Sequence, residues 1–136
     1  MAINLSGSWV ATPIPFDKKG AIDFDGFKTL IDRQVKYGTS QLFVLGSAAE
    51  VSLLTADEKK EIIRQTVRIV KQRIPVFFSA ASNTTEGEVE IAKFAEEQGA
   101  DGVIFTIPPY VLIPQEDAFL HLDTVMGADR KSTRLN

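Results

Sequence analysis

The chain has 136 residues, 44% of them hydrophobic and 24% charged, with 15 Lys+Arg against 18 Asp+Glu for a formal net charge of −3. That composition offers enough apolar surface to offset chain entropy, so a disordered chain is excluded, and the length suits one domain. With no cysteine and one histidine, His121, disulfides, thiolate nucleophiles, zinc–sulfur sites and His-rich metal clusters fall away, and an acidic balance without a basic stripe speaks against nucleic acid or an anionic membrane as partner.

In chain order, the first apolar run is Ser8-Trp-Val-Ala-Thr12, ended by Pro13 and Pro15. Asp23 to Tyr37 follows as an amphipathic helix with Phe27, Leu30, Ile31 and Val35 on one face and Gly38 as its stop. Gln41-Leu-Phe-Val-Leu45 is an unbroken apolar block ending in Gly46. A second helix starts at Thr55, where Thr55-Ala-Asp-Glu58 has the form of a capping box. It turns Ile62, Ile63, Thr66, Val67 and Val70 inward, and its Lys and Arg residues read as a solvated face. Ile74-Pro-Val-Phe-Phe78 carries its proline near the start, where a strand tolerates it. The third helix is expected from near Thr85, with Glu88 in the capping-box position and Val89, Ala92 and Ala95 buried ahead of Gly99. Gly102-Val-Ile-Phe-Thr-Ile107, closed by Pro108-Pro109, is the fourth strand. The fourth helix begins after Pro114 with Glu116 and Asp117 in its first turn, and is expected to bury Phe119, Leu122, Val125 and Met126. No apolar run approaches the roughly 18 residues of a membrane helix. Met1–Ser8 also lacks a basic segment leading into an apolar one, so a cytoplasmic location is expected.

The four apolar blocks do not alternate with polar residues, which suits strands buried on both faces of a parallel sheet. Their starts near 9, 41, 74 and 102 are 32, 33 and 28 residues apart, the spacing of a repeated strand–helix unit. Such a repeat leads either to an open doubly wound sheet, complete in itself, or to an eight-unit closed barrel of about 250 residues, of which four units are half. Periodicity leaves both open. The last eight residues, Asp129 to Asn136, fit neither period and hold three cations and one anion, so the first 128 carry −5.

In both architectures ligands sit where strands give way to loops. Gly46-Ser-Ala-Ala-Glu50 is the most suggestive such stretch: small residues let a ligand reach the backbone, successive amides can hold a carboxylate or phosphate, and Ser47 adds a hydroxyl. On these residues alone an ordinary small-residue βα turn, with Glu50 solvated or salt-bridged, comes ahead of a ligand loop; no Gly-Lys-Ser/Thr follows, so it is not a phosphate loop. Thr12 offers a strand-end hydroxyl to substrate or to a cap. Tyr110, after two prolines, offers a phenol that donates a proton if buried near charge, or simply packs. His121, alone in a helix, reads as structural.

Taken together, Gly7-Ser-Trp-Val-Ala-Thr-Pro13, Phe16-Asp-Lys-Lys-Gly20, Leu30-Ile-Asp32, Tyr37-Gly-Thr-Ser40 and Gly46-Ser-Ala-Ala-Glu50 with Leu54, Thr55 and Glu58 form an ordered set. It continues through Ile74-Pro-Val76, Asn83-Thr-Thr85, Pro108-Pro-Tyr110, Pro114-Gln-Glu116 and His121. The set resembles the dihydrodipicolinate synthase/N-acetylneuraminate lyase family of Schiff-base aldolases. The resemblance implies that residues 1–128 are the N-terminal half, about four βα units, of a TIM (β/α)8 barrel, and that residues 129–136 are an unrelated tail. It implies a lyase in which pyruvate or a related 2-oxo acid condenses with a lysine on the sixth strand, and the enamine attacks or is released from an aldehyde. No metal or organic cofactor is expected, and the parent enzyme would be a cytoplasmic homotetramer. Ser47 would bind the keto acid's carboxylate and join a proton relay, and Ala48 would add its backbone N–H. With Thr12 as a further substrate-binding hydroxyl and Tyr110 as a proton donor, these are the candidate site residues.

Three positions depart from the family pattern. Ala49 replaces the second loop glycine, Ala48 the second loop hydroxyl, and Val111 the second of two adjacent tyrosines. These place dihydrodipicolinate synthesis itself in question and leave open a branch acting on keto-deoxy-sugar acids. The resemblance places the Schiff-base lysine nearly thirty residues beyond a fifth strand that should begin near residue 130, and none of the nine lysines present is expected at a strand end to replace it, so the chain alone is expected to be inactive and its tail to come from truncation, frameshift or an assembly error. A half barrel would expose an open edge and its inner face, and is expected to self-associate. The competing readings are a complete (βα)4 binding module with helices on both sheet faces, and a regulatory half-subunit docking into full-length barrels.

Overall fold

The computed structural model describes residues 4–108 and 112–128. Four strands, β1 (Trp9–Ala11), β2 (Gln41–Val44), β3 (Val76–Ser79) and β4 (Gly102–Ile104), alternate with four helices, α1 (Phe24–Lys36), α2 (Ala56–Val70), α3 (Thr85–Gln98) and α4 (Gln115–Ala128). The strands form one parallel sheet in the order β1-β2-β3-β4.

The helix boundaries follow from local chemistry. Asp23 caps α1 by accepting from Gly26 N–H at 2.9 Å. Thr55 and Glu58 close the expected capping box on α2, each side chain accepting from the other's amide. Gly99, at φ 95, ends α3 in the left-handed conformation that a side chain resists. The third cap differs from expectation: Thr84, not Thr85, accepts from Gly87 N–H at 3.1 Å, and Glu88 is turned inward.

The pleat sorts each strand's side chains onto two faces. Leu42, Val44, Val76 and Phe78 form one cluster with Phe27 and Ile31 of α1, Ile62, Ile63 and Val70 of α2, and Ile91, Ala92 and Ala95 of α3, while Val10 and Val103 pack against it. Full burial of side chains this size contributes about 1.5–3 kcal/mol each. α4 packs on α3 through Val125 and His121. The helices thus lie on one face of a sheet whose strand order follows the sequence, whereas an open binding module would place helices on both. This is half, four βα units, of a TIM (β/α)8 barrel.

The opposite, inner face carries Trp9, Ala11, Phe43, Phe77 and Ile104. Trp9 lies over Phe77 with ring centroids 4.5 Å apart, leaving Phe77 only 8% exposed while Trp9 itself is 38% exposed. Among the described residues β4 pairs with β3 alone, and the ladder stops at the Ser79–Ile104 pair, short of the apolar run to Ile107. α4 also departs from expectation: Phe119 is 73% exposed, and Met126 is exposed as well. α3 is the helix packed against α4, and the apolar arc of α4 is wider than one neighbour covers. Among the described residues no helix is long and apolar enough to cross a membrane.

Candidate functional site

The turn after β2 is built under constraint. Leu45, fully buried, adopts φ 63, and Glu50 adopts φ 50. Left-handed backbone costs a residue with a Cβ about 1–2 kcal/mol, so two such residues bracketing four small ones require surroundings that enforce them. Between them, Gly46 sits at φ −79, ψ −169, and Ser47–Ala49 form one 3-10 turn closed by Ala49 N–H to Gly46 O and Glu50 N–H to Ser47 O, both at 3.0 Å. Phe43, on the inner face, holds this turn from beneath: a Cβ on Gly46 would lie 2.6 Å from its Cε1.

This arrangement leaves the amides of Ser47 and Ala48 without an acceptor among the described residues, and Ser47 and Ala48 are both exposed. Two adjacent free amides beside a hydroxyl form an anion-binding concavity. Ala49, which replaces a glycine of the family pattern, causes no disruption: its φ is not left-handed, and its methyl is 1% exposed within the apolar cluster.

Thr12 terminates β1, which touches the Ser47–Ala49 turn. Its amide donates to Phe43 O at 2.9 Å, and its hydroxyl, 1% exposed, donates to Val10 O at 3.1 Å. The oxygen keeps acceptor capacity, but its proton is engaged. Tyr110 and Val111 lie outside the described residues, as do residues 129–136.

Two features escaped the sequence reading. Of the basic residues of α2 Arg68 is exposed, but Lys59, Lys60 and Arg64 are not a plain solvated face. Lys59 donates to Ala81 O at 3.1 Å, and burial holds its ammonium below the usual lysine range. Lys60 pairs with Glu90, and Lys60 and Arg64 lie 5.8 and 5.2 Å from the Phe94 ring, so these side chains join α2 to α3. Lys59 also lines a cavity of about 290 Å³ with Ser82, Asn83 and Glu90.

The second feature is a buried acid–imidazole pair. Glu88 of α3 is fully buried, and His121 of α4 is 7% exposed. His121 Nε2 lies 2.7 Å from Glu88 Oε2 and 3.3 Å from Thr106 O. Thr106 O can only accept, which places a proton on Nε2; in the neutral ring Nδ1 then accepts from Thr85 Oγ1 at 2.8 Å. Glu88 Oε1 accepts from Thr106 N–H at 3.2 Å, whereas Oε2, although close to the imidazole, accepts no well-directed hydrogen bond. Burial pushes the Glu88 carboxyl above its ordinary range, opposed by the Thr106 amide and His121. The sequence held a signal for this: Glu88 shares the helical face of Ala92 and Ala95, where an acid is out of place. Among the described residues no group of three His, Cys, Asp or Glu side chains forms a candidate metal site.

The family model described as "Dihydrodipicolinate synthetase family" matches residues 4–133. The 4-hydroxy-tetrahydrodipicolinate synthase of Ralstonia nicotianae is 36% identical over 122 residues, covering 90% of this chain and 42% of that protein. Among solved structures, a dihydrodipicolinate synthase of Bacillus anthracis matches with a TM-score of 0.90 at 30% identity, covering 95% of this chain and 44% of its own. The chloride-inhibited dihydrodipicolinate synthase of Acinetobacter baumannii, complexed with pyruvate, matches with a TM-score of 0.89 at 28% identity, covering 93% and 44%. The chain therefore spans less than half the length of these relatives.

Proposed function

Because the chain belongs to the dihydrodipicolinate synthetase family, we propose that it supplies the carboxylate-binding half of a pyruvate-dependent Schiff-base lyase. The observation that carries this reading is the Gly46–Glu50 turn, which presents two free amides and the Ser47 hydroxyl at the carboxyl end of the sheet. A 2-oxo acid bound there has its carboxylate neutralised by oriented N–H and O–H dipoles. A lysine amine then adds to the C2 carbonyl and water leaves, giving a protonated imine. Loss of a proton from C3 gives the enamine, and its C3 forms the bond to the aldehyde carbon.

In this reading Ser47 also passes protons, Tyr110 donates one, and Thr12 contributes an acceptor beside the turn. Among the described residues no lysine stands at the carboxyl end of a strand, where the imine-forming amine is needed. Lys18 and Lys19 lie in a turn, Lys28, Lys36, Lys59, Lys60 and Lys93 are helical, Lys71 caps α2, and Lys131 falls outside the described residues. The 136-residue chain alone is accordingly inactive, and the whole enzyme is a cytoplasmic homo-oligomer needing no cofactor. A second reading, a keto-deoxy-sugar-acid aldolase or dehydratase, is favoured by Ala48, which removes one hydroxyl donor to the carboxylate, and by Val111 in place of a tyrosine.

The test is to read the encoding DNA beyond codon 128 in all frames. A continuation encoding a fifth strand with a tyrosine, followed by a strand ending in lysine, supports the lyase reading. A genuine stop with nothing barrel-like behind it overturns that reading in favour of a binding module or a regulatory half-subunit.

A further inference from the structure

We propose that Glu88 and His121 are positioning residues that grip the Thr106 peptide from the helix side and so fix the carboxyl end of β4, from which the chain runs on to Tyr110. In a parallel sheet a strand's peptide groups are satisfied by neighbouring strands. The β3–β4 ladder ends with Ala80 N–H donating to Ile104 O at 3.1 Å, two residues short of Thr106. Beyond it, side chains take over. Thr106 N–H donates to Glu88 Oε1 at 3.2 Å, Thr106 Oγ1 points to the same oxygen at 3.4 Å, and His121 Nε2 donates to Thr106 O at 3.3 Å. One peptide position is therefore held at both its donor and its acceptor, by two different helices.

Helix packing alone does not account for the pair. The faces on which it sits are otherwise Ile91, Ala92 and Ala95 on α3 and Val125 on α4. Apolar side chains there would join the helices without the cost of desolvating a carboxylate. What an apolar pair cannot do is accept from Thr106 N–H and donate to Thr106 O. Among the described residues His121 is the titratable group in contact with Glu88; the segment after β4 presents Thr106, and α3 presents the Thr85 hydroxyl to the imidazole. Neither side chain reaches the inner face, so their action on chemistry is indirect. Only the consequence for Tyr110 rests on the lyase reading.

The experiment is amide exchange and ring-resonance NMR on the full 136-residue chain. Glu88→Ala and His121→Ala are expected to speed exchange at Thr106 tenfold or more, while Phe78 and Val103 in the ladder stay within twofold. Tyr110 ring resonances shift in both variants, and Glu88→Gln, which keeps an acceptor, restores both readouts. Thr106 exchange that rises only in step with Phe78 and Val103 overturns the proposal, as do unmoved Tyr110 resonances or failure of Glu88→Gln to restore them. Should the alanine variants not fold, the unsubstituted chain still decides: the Thr106 amide proton shift must follow titration of the Glu88 carboxyl, and a flat Thr106 overturns the grip. Pyruvate enters none of these measurements, so failure here leaves the lyase reading to its own test.

Discussion

Gly46→Ala probes how the candidate carboxylate cradle is held. The backbone there, φ −79 and ψ −169, is open to alanine, so any cost must be steric. The new methyl would lie 2.6 Å from Phe43 Cε1 and 2.9 Å from Cζ, against an ordinary carbon–carbon separation of about 3.5–4.0 Å. The ring must therefore withdraw by roughly an ångström, and such overpacking costs about 1–3 kcal/mol. Replacing glycine returns about 0.4–1 kcal/mol by restricting the unfolded chain, for a net loss of about 1–2 kcal/mol. At about 3–4 °C per kcal/mol for a chain of this length, Tm falls by roughly 3–8 °C. The decisive assay is a double-mutant cycle by urea denaturation. In a Phe43→Ala background the clash is gone, and Gly46→Ala should become stabilising by about 0.4–1 kcal/mol. An equal loss in both backgrounds would refute the claim that the Phe43 ring supports the turn.

Thr55→Ala removes half of a complete capping box and should cost about 1 kcal/mol in urea denaturation, with Thr55→Ser recovering most of it; an unchanged midpoint would contradict the cap. Burial raises the Glu88 carboxyl, so its contribution to stability is fully present below its ordinary value of 4.5 and is lost as pH rises through the raised one. The urea midpoint of the unsubstituted chain should therefore fall relative to Glu88→Gln between pH 4.5 and neutrality, and the opposite slope would refute the assignment. The exposed inner-face Trp9, with Leu112, Phe119 and Leu120 beside or on α4, predicts concentration-dependent association in sedimentation velocity; a monodisperse monomer that melts cooperatively contradicts this.

What could be read from the sequence depended on whether the determining interaction was local. The caps at Asp23 and Thr55 act within one turn of helix; the capping box at Thr55 is where the pattern places it, and Asp23 marks the start of the first helix although the pattern alone does not identify it as a cap. The small-residue run Gly46–Glu50 marked the turn, but not the left-handed Leu45 and Glu50 that hold it, because enforced backbone depends on packing from Phe43 and the core. Periodicity left the closed and open sheets undecided, since both bury the same strand pattern, and only the side on which helices return separates them. In the sequence Glu88 reads as a cap, because its partners, Thr106 and His121, are 18 and 33 residues away. The pattern of α4 implies a wider buried arc than the structure has, because it records apolar residues but not how many neighbours the helix has.

The measurement that tests the central claim most directly is a titration of the 136-residue chain with pyruvate, followed through its amide resonances. If the Gly46–Glu50 turn is a ready-made carboxylate cradle, the Ser47 and Ala48 amides shift first and saturably with a dissociation constant of the order of millimolar, about −4 kcal/mol. Ser47→Ala should weaken that binding while leaving urea stability unchanged. Amides at Ser47 and Ala48 that stay in place, or that respond equally to chloride at the same ionic strength, would contradict the account.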